Sequence, residues 1–247
     1  MTQNHANFNE GLTIAPLTNV ALCLGGMERA LHRSEHLPGL VVLSGPSGYG
    51  KSTAAIYAAN KYRAYRVEAK DSWNRKAFLE NVLKEMGIPP ASTIYAMLDQ
   101  VCGQLDASGR PLIVDETDNI VARGYIETVR DIHDGCRTSI LMIGEEKLPL
   151  KLKRWERVHG RILDFVLAQP ADISDAQHLR KLYCTQVAIA DDLLEHIQRA
   201  SKGSARRICV NLERMQEEAV SRGMSEFTLP DARGLELFTG EPPKRRD

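Results

Sequence analysis

Positions 44–55 read SGPSGYGKSTAA, which is the most informative stretch of the chain. Within it, positions 45–52 match the spacing G-x-x-x-x-G-K-[ST], which is typical of a loop that binds the phosphates of a nucleoside triphosphate. Glycines in such a loop let successive backbone N–H groups turn inward around the phosphates. We expect Lys51 to neutralise the β- and γ-phosphates and the Ser52 hydroxyl to bind Mg²⁺. The residues predicted to contact the nucleotide are Gly45, Pro46, Ser47, Gly48, Tyr49, Gly50, Lys51, Ser52 and Thr53.

The segments on either side of this loop support the interpretation. LVVLS at 40–44 is a short apolar run of the kind that forms a buried strand, and KSTAAIYAANKYR at 51–63 predicts a helix. A helix that begins at the loop presents the positive end of its dipole to the same phosphates. A glycine-rich turn without this strand and helix would be a weaker match, because the spacing alone occurs by chance.

The segment LIVDE at 112–116 supplies a second part of the predicted site. An apolar strand that ends in Asp115 places a carboxylate near the Mg²⁺ ion, which makes Asp115 a second predicted metal ligand with Ser52. The adjacent Glu116 is placed to polarise an attacking water, which favours hydrolysis over transfer to a small acceptor. The alternative is that both carboxylates only cap the next helix. We interpret Asp118 as a cap or loop residue.

Strands alternate with helices through the first two thirds of the chain. AYRVEA at 64–69, RPLIVDE at 110–116 and TSILMIG at 138–144 predict further strands. Helices are predicted over 25–37, 74–87, 92–109 with Ser92 as its cap, and 121–135. This alternation predicts an α/β fold with a parallel sheet that is flanked by helices. From about position 170 the pattern changes to three helices without a predicted strand.

The change of pattern divides the chain into four predicted parts. They are a flexible arm at 1–20, a nucleotide-binding core at 21–169, a helical lid domain at 170–224 and a C-terminal tail at 225–247. The tail ends in GEPPKRRD, a composition that favours disorder. No apolar run approaches the roughly 18–20 residues needed to span a bilayer.

Composition excludes several other classes. The 32 basic and 32 acidic residues give a net charge of zero, which argues against a protein that binds nucleic acid over its whole surface. Two segments, 61–76 and 147–161, are locally basic, and each is either a solvated face or a binding surface. The five cysteines are scattered and form no C-x-x-C pair, so neither a disulfide framework nor a zinc site is expected. A reducing cytosol is the simplest location.

The motifs and the order of the two regions resemble those of the AAA+ ATPases over about residues 20–222. The resemblance implies a core with a parallel five-stranded sheet, a small all-helical lid, and ATP and Mg²⁺ as cofactors. In GSARRI at 203–208, Arg206 matches the arginine by which the lid reaches the γ-phosphate, with Arg207 as second choice. In RWERVHGRIL at 154–163, Arg161 matches the arginine that acts on a neighbouring subunit's nucleotide, with Arg157 as the alternate. Each of these arginines is otherwise a surface or salt-bridge residue.

The sequence departs from this family at the end of the strand 138–144. AAA+ proteins usually carry Asn, Ser or Thr there as a sensor of the nucleotide, whereas this chain has Gly144 followed by Glu145. Two interpretations are open. Glu145 holds a water through its carboxylate, or the sensor is degenerate and hydrolysis is slow.

Longer stretches resemble one branch of the family, the phage Mu target-DNA activator B proteins. The matching stretches include GPSGYGKSTAAIYAANKYRAYRVEAKDSW, RPLIVDETDNIVARGYIETVRDIHDG and ERVHGRILDFVLAQPAD. The resemblance implies an ATPase that assembles with itself as a helical filament on double-stranded DNA of any sequence, delivers that DNA to a transposase and stimulates strand transfer. Hydrolysis would release it from DNA near the element's own ends, which is called target immunity. A phage or prophage protein in the bacterial cytoplasm, without a membrane partner, is expected.

The Mu protein carries a helix-turn-helix domain before its core, whereas only about 30 residues precede the core here, so that domain's contribution is not carried over. Candidate DNA contacts follow the second predicted strand and are Lys70, Arg75 and Lys76. If assembly aligns one basic segment per subunit along a duplex, a neutral chain still binds strongly, because each neutralised phosphate releases counterions. Trp73 is interpreted as a packing residue before a stacking one.

Three other functions share some of these features. A helicase loader or origin-recognition ATPase has the same motifs but usually a C-terminal winged helix, for which the residues after the last predicted helix are too few. A small-molecule kinase needs an acceptor pocket, and the pair Asp115 and Glu116 argues against it. A signalling ATPase uses the nucleotide as a switch and binds only protein.

Overall fold

The structure is a computed structural model that describes residues 15–241, and its backbone divides into two units. One unit comprises Asn19–Gln169, and the other contains residues 15–18 and 170–241. The predicted arm and tail lie partly outside the described residues, at 1–14 and 242–247. Within residues 15–241, no helix is both long enough and apolar enough to cross a membrane.

The first unit is built on a five-stranded sheet. Its strands are β1 (Leu40–Ser44), β2 (Tyr65–Glu68), β3 (Leu112–Asp115), β4 (Ile140–Gly144) and β5 (Ile162–Leu167). Their order is β2-β3-β4-β1-β5, and every neighbouring pair is parallel. Because parallel strands end at the same edge, the loops after β1, β3 and β4 meet at the carboxyl edge of the sheet. The predicted α/β fold with a parallel five-stranded sheet is confirmed.

Helices cover this sheet. They are α1 (Thr18–Leu31), α2 (Lys51–Tyr62), α3 (Arg75–Glu85), α4 (Ile94–Ser108), α5 (Thr117–Ala122), α6 (Glu127–Cys136), α7 (Leu148–Leu152) and α8 (Glu156–His159). Every residue of β1, β3 and β4 is buried, which explains why these strands read as continuous apolar runs rather than alternating ones. The central strands therefore hold the edge residues of the site in fixed register.

Three local predictions differ from the structure. The first helix starts at Thr18 rather than 25, because Val20, Cys23 and Met27 form one buried face that continues across the glycine pair at 25–26. The predicted arm at 1–20 therefore overlaps α1. The N-cap of α4 is Thr93, whose hydroxyl accepts from the N–H of Ala96, and not Ser92.

The segment 121–135 is not one helix. It is divided between α5 and α6 by a turn in which Gly124 has φ of 75°. That left-handed conformation suits glycine and ends α5, whereas the sequence pattern had suggested continuity. The break matters for function because it makes α5 a short connection that leads directly from the end of β3.

The second unit contains three helices, as the pattern predicts. They are α9 (Ile173–Tyr183), α10 (Asp191–Ala200) and α11 (Ala205–Ser221), and side chains of Asp172 and Ser204 cap α9 and α11. The unit is not entirely helical, because β6 (Ala188–Ile189) pairs in parallel with β7 (Glu226–Phe227).

The start of the predicted tail is part of this second unit. Beyond β7, the chain returns to α11 at Asn211, whose side chain accepts from the N–H of Phe238 at 2.7 Å and donates to its carbonyl at 3.1 Å. Asn211 is fully buried, so these bonds satisfy both ends of its amide. Residues 225–238 therefore belong to the fold of this unit.

Candidate functional site

The loop between β1 and α2 has the backbone shape that its glycines predict. Gly48 and Gly50 have φ of 84° and 81°, in the left-handed region that other residues adopt at a cost. At the start of the loop, a Cβ on Gly45 would lie 2.7 Å from the Cβ of Ala168. The loop thus needs glycine at two positions for conformation and at a third for space.

Lys51 is the first residue of α2, and its side chain turns back into the loop. Its ammonium group donates hydrogen bonds to the carbonyl oxygens of Gly45 at 2.7 Å and Pro46 at 2.9 Å. The positive charge is therefore held inside the curve of the loop rather than directed to solvent. This placement fits a group that neutralises bound phosphates.

The electrostatic surroundings of Lys51 join the loop to the carboxyl edge of the sheet. Burial lowers the pKa of Lys51 from its ordinary value, and the carboxylates of Glu116, Asp115, Asp118 and Glu145 oppose that effect. These carboxylates come from the ends of β3 and β4. The structure thus brings the two sequence motifs into one site, as the strand order requires.

A buried asparagine anchors the loop from the opposite side. Asn19, at the start of α1, donates to the carbonyls of Tyr49 and Gln169, each at 2.8 Å, and accepts from the N–H of Gln169 at 2.8 Å. Sequence reasoning missed Asn19 because it lies 30 residues before its loop partner. The only sequence signal is a polar residue on the buried face of an apolar helix.

We predict that Asn19→Ala destabilises the protein and loosens the phosphate loop. Each buried group left without a partner costs about 1–3 kcal/mol, and each kcal/mol lowers the melting temperature by about 2–4 °C in a chain of this size. Thermal unfolding with and without nucleotide measures the effect. Asn81→Ala is the control, because the Asn81 amide donates to the carbonyl of Ala77 within its own helix. Equal melting temperatures for the two variants would contradict the anchoring role.

Asp115 ends β3 and is only 2% exposed. Its Oδ1 accepts from the N–H of Glu116 at 3.0 Å, and its Oδ2 accepts from the guanidinium of Arg66 on β2 at 2.8 Å. These bonds use two of the roughly four acceptor positions of a carboxylate, so positions remain for a metal ion or its water. Sequence reasoning missed Arg66, whose partner lies 49 residues away.

The predicted metal ligands fit Mg²⁺ in chemistry. Ser52 and Asp115 offer oxygen atoms, which this hard cation prefers, and Mg²⁺ at nucleotide sites keeps waters and phosphate oxygens as its other ligands. No cluster of three or more His, Cys, Asp or Glu side chains within residues 15–241 is arranged to bind a metal by itself. A metal here would accordingly depend on the nucleotide for most of its coordination.

Glu116 has an unusual backbone. It adopts φ of 53° and ψ of 41°, a left-handed conformation that costs a non-glycine residue free energy and is concentrated at functional sites. Burial raises the pKa of Glu116, the charges of Asp115 and Asp118 raise it further, and Lys51 opposes them. A carboxylate with a raised pKa is a stronger proton acceptor than an ordinary glutamate.

Asp118 occupies the space beside Gly144, at the end of β4. A Cβ on Gly144 would lie 2.2 Å from Oδ2 of Asp118. Oδ2 accepts from the N–H of Glu145 at 2.6 Å, and Oδ1 accepts from the ammonium of Lys151 at 2.6 Å. The interpretation of Asp118 as a cap or loop residue is therefore wrong: Asp118 lies within α5, and its carboxylate binds groups that follow β4. The Glu145 side chain is 67% exposed, and within residues 15–241 its one ionic partner is Lys151 at 3.8 Å.

The two candidate arginines of 154–163 differ in their contacts. Arg161 forms a two-point ion pair with Asp134, with Nε–Oδ1 at 2.7 Å and the second contact at 3.2 Å. Arg157 is exposed on α8, and no carboxylate of residues 15–241 lies within 4.0 Å of its nitrogens. Arg206 is exposed at the start of α11 in the second unit, and Arg207 follows it.

The structure brings parts of the two basic segments together. A cleft of about 510 Å³ lies between the start of α3, the start of α6 and the segment before α8. Its lining residues are Arg75, Glu127, Arg130, Asp131, Arg154, Trp155, Glu156 and Arg157. Arg130 pairs with Glu127 and Asp131. Among the described residues, Arg75 and Arg154, like Arg157, have no carboxylate within 4.0 Å.

The remaining DNA candidates have acidic partners. Lys70 pairs with Glu68, and Lys76 lies 3.7 Å from Glu80, one turn along α3. Trp73 is partly buried against the hydrophobic core of the sheet, in keeping with its interpretation as a packing residue. Of the three candidates, Arg75 is thus the one that presents an unpaired charge at the cleft.

Comparison with known proteins agrees with this arrangement. Residues 33–152 match the sequence family described as an AAA domain. No curated protein matches the chain in sequence.

Solved structures share the fold. The chain is similar to Cdc6p from Pyrobaculum aerophilum, with a TM-score of 0.62, 15% identity, and coverage of 84% of this chain and 62% of that one. It is similar to the RuvB Holliday junction branch migration motor of Thermotoga maritima, with a TM-score of 0.56 and 16% identity, over 90% of this chain and 65% of that one. It is also similar to the structure of Drosophila ORC bound to DNA, with a TM-score of 0.59 and 14% identity, over 94% of this chain and 68% of that one. The chain thus spans under two thirds of the first two relatives.

The family match and the shared fold point to the same class of domain. Residues 33–152 are similar in sequence to AAA domains. The fold of the chain is the AAA+ fold of the Cdc6, ORC and RuvB structures.

Proposed function

We propose that the chain is a Mg²⁺-dependent AAA+ ATPase that assembles on target DNA, delivers the DNA to a Mu-type transposase and stimulates strand transfer. Hydrolysis then releases the protein and provides target immunity. The observation that carries the ATPase part is the carboxyl edge of the sheet, where Lys51 and the pair Asp115 and Glu116 come together. The transposition part is supported by the resemblance of long sequence stretches to the Mu activator family.

Each residue of the edge has a part in hydrolysis. The loop 45–50 and the start of α2 bind the phosphates, and Lys51 neutralises them. Ser52 and Asp115 would hold Mg²⁺, which supplies charge neutralisation on the phosphates when bound. Arg66 fixes the orientation of the Asp115 carboxylate through its 2.8 Å contact.

Glu116 acts on the water that attacks the terminal phosphate. The raised pKa makes the Glu116 carboxylate a stronger proton acceptor, and the left-handed backbone conformation fixes its position. An oxygen of this carboxylate accepts a proton from the water. The neighbouring Asp115 and Asp118 keep Glu116 basic, and Lys51 keeps it ionised. The arrangement therefore supports hydrolysis rather than transfer to a second small substrate.

Assembly places an arginine of one copy at the nucleotide of another. Of the two candidates, we propose Arg157 in preference to Arg161, because Arg161 would first have to break its ion pair with Asp134. A bidentate pair of this geometry is among the stronger surface pairs. Arg206 remains the proposed arginine of the second unit, acting on the nucleotide of its own copy.

We propose the arginine cleft as the DNA-contacting surface. Besides Arg157, the cleft has the unpaired guanidinium groups of Arg75 and Arg154, which together with Trp155 combine charge with an aromatic surface. Lys70 and Lys76 would contribute less, because their charges are already compensated by Glu68 and Glu80. Repetition of the cleft along a filament would add phosphate contacts without requiring a basic monomer.

The test of DNA binding uses random-sequence plasmid with ATP or a slowly hydrolysed analogue, followed by electron microscopy and affinity measurements at several salt concentrations. We expect nucleotide-dependent filaments. Arg75→Ala with Arg154→Ala should weaken binding and reduce the salt slope by about two, one for each lost phosphate contact.

Lys84→Ala is the matched control, since Lys84 is exposed near the other end of α3. A double variant that binds DNA as the control does would reject the cleft as the DNA surface. Monomers that ignore DNA in every nucleotide state would reject the whole DNA-binding proposal.

A helicase loader or origin-recognition ATPase is the second candidate, which the similarity to Cdc6p and ORC favours. A strand-transfer assay separates the two functions. Stimulation of a Mu-type transposase by this chain and ATP supports transposition. DNA binding without any stimulation, together with capture of a replicative helicase, supports the loader.

A further inference from the structure

We propose that Lys151, held in place by Asp118, is a second lysine of the nucleotide site and contacts the terminal phosphate. This inference rests on the proposed ATP hydrolysis and adds a residue to that site. Lys151 is a phosphate ligand in this proposal, and Asp118 is a positioning residue. No sequence motif indicates either role.

The first support is steric. The end of β4 carries no side chain because the carboxylate of Asp118 fills the space that a Cβ on Gly144 would need, with Oδ2 only 2.2 Å from that position. Lys151 binds the other oxygen of the same carboxylate at 2.6 Å. The space that a side chain at position 144 would fill is thus occupied by the carboxylate of Asp118 from α5, which binds Lys151 from α7.

The second support is the register of the sheet. Ser44 of β1 pairs directly with Gly144 of β4. The next residue after Ser44 is Gly45, which starts the phosphate loop, and the next after Gly144 is Glu145, whose N–H binds Asp118. The pair therefore stands at the strand end immediately beside the phosphate loop.

The third support concerns charge. Besides Asp115 and Glu116 at the end of β3, the same edge carries Asp118 and Glu145, which are joined by a hydrogen bond from the Glu145 N–H to the Asp118 carboxylate. Four carboxylates at this edge oppose the approach of a triphosphate, and the two cations Lys51 and Arg66 do not balance their charge. Lys151 supplies another positive charge at the same edge, with its side chain 40% exposed and hence accessible to a ligand.

The position of Asp118 near Glu116 indicates which phosphate Lys151 contacts. Glu116, the proposed partner of the attacking water, and Asp118 are two residues apart at the junction of β3 and α5. The water attacks the terminal phosphorus, so a cation held by Asp118 is placed for the terminal phosphate rather than the inner ones. Lys151 should consequently distinguish ATP from ADP.

The test compares the affinities of fluorescent N-methylanthraniloyl ATP and ADP for the full chain. We expect Lys151→Met to weaken ATP binding about tenfold or more, which corresponds to one lost charged hydrogen bond. ADP binding should change by less than about twofold, since ADP lacks the terminal phosphate and so the lost bond. Lys151→Arg should restore most of the preference for ATP. Lys153→Met is the matched control, because Lys153 is exposed at the end of the same helix.

Gly144→Ala tests the positioning role separately. The added methyl group would displace the Asp118 carboxylate and with it Lys151, so this variant and Asp118→Asn should reproduce the selective loss of ATP affinity. If Lys151 is only a structural salt bridge, the melting temperature falls while the ratio of ATP to ADP affinity stays at the wild-type value, which overturns the proposal. Loss of both affinities together overturns it too. A protein that binds neither nucleotide before any substitution would instead reject the proposed ATPase site.

Discussion

Glu116→Gln is expected to slow ATP hydrolysis by about 10²–10⁴-fold, the usual contribution of a positioned proton acceptor. Glutamine has nearly the same size and shape, so the left-handed turn at 116 and the binding of ATP should persist. The amide, however, accepts no proton from the attacking water. Phosphate release and nucleotide affinity, measured on the same preparation, give the two expected results.

The same variant should stay on DNA. If hydrolysis is the release step, the Glu116→Gln protein with ATP forms filaments that do not dissociate on the time scale of the wild-type protein. Glu85→Gln is the control, because Glu85 is an exposed carboxylate at the last residue of α3 and is not part of the proposed site. Release of DNA by Glu116→Gln at the wild-type rate would show that another group polarises the water.

The pKa of Glu116 adds a pH dependence. The carboxylate must be ionised to accept a proton, and its pKa is raised above the ordinary value by burial and by neighbouring carboxylates. Hydrolysis should accordingly decline as the pH falls through this raised pKa, at a higher pH than an exposed glutamate would give. The decline should be absent from the residual rate of Glu116→Gln. A wild-type rate that stays constant through that range would argue against Glu116 as the base.

The sequence predicts those parts of the site whose residues are contiguous in the chain. The phosphate loop is one string because a single turn must follow β1 and precede α2. Asp115 and Glu116 are recognisable because a fully buried strand reads as an unbroken apolar run, and the polar residues that end it stand out. The order of these strings along the chain also suffices for the parallel sheet.

The parts that the sequence does not predict are contacts between distant positions. Arg66 and Asp115 are 49 residues apart, and Lys151 and Asp118 are 33 apart. Nothing in a local pattern reveals which strand register or helix end brings such pairs together. The same holds for the basic segments, in which only the structure separates the unpaired Arg75 from the compensated Lys70 and Lys76.

Lys51→Ala is expected to abolish nucleotide binding and, with it, assembly on DNA. The wild-type ammonium is held within the loop by the carbonyls of Gly45 and Pro46, and it is the charge that opposes the carboxylates of β3 and β4. Loss of two charged hydrogen bonds from this ammonium to the phosphates of bound ATP would cost about 3–6 kcal/mol, or about 10²–10⁴-fold in affinity.

Lys61→Ala is the matched control for this variant, since Lys61 lies in the last turn of the same helix and pairs with Glu28 at the surface. Nucleotide affinity, assembly with ATP measured by size-exclusion chromatography, and DNA affinity should all fall in Lys51→Ala. They should stay at the wild-type values in Lys61→Ala. If Lys51→Ala formed filaments at the ATP concentration that the wild-type protein needs, assembly would not depend on nucleotide binding. ATP would then not be the ligand that joins the subunits, and the unpaired Arg157 would need another partner than the triphosphate of the next copy.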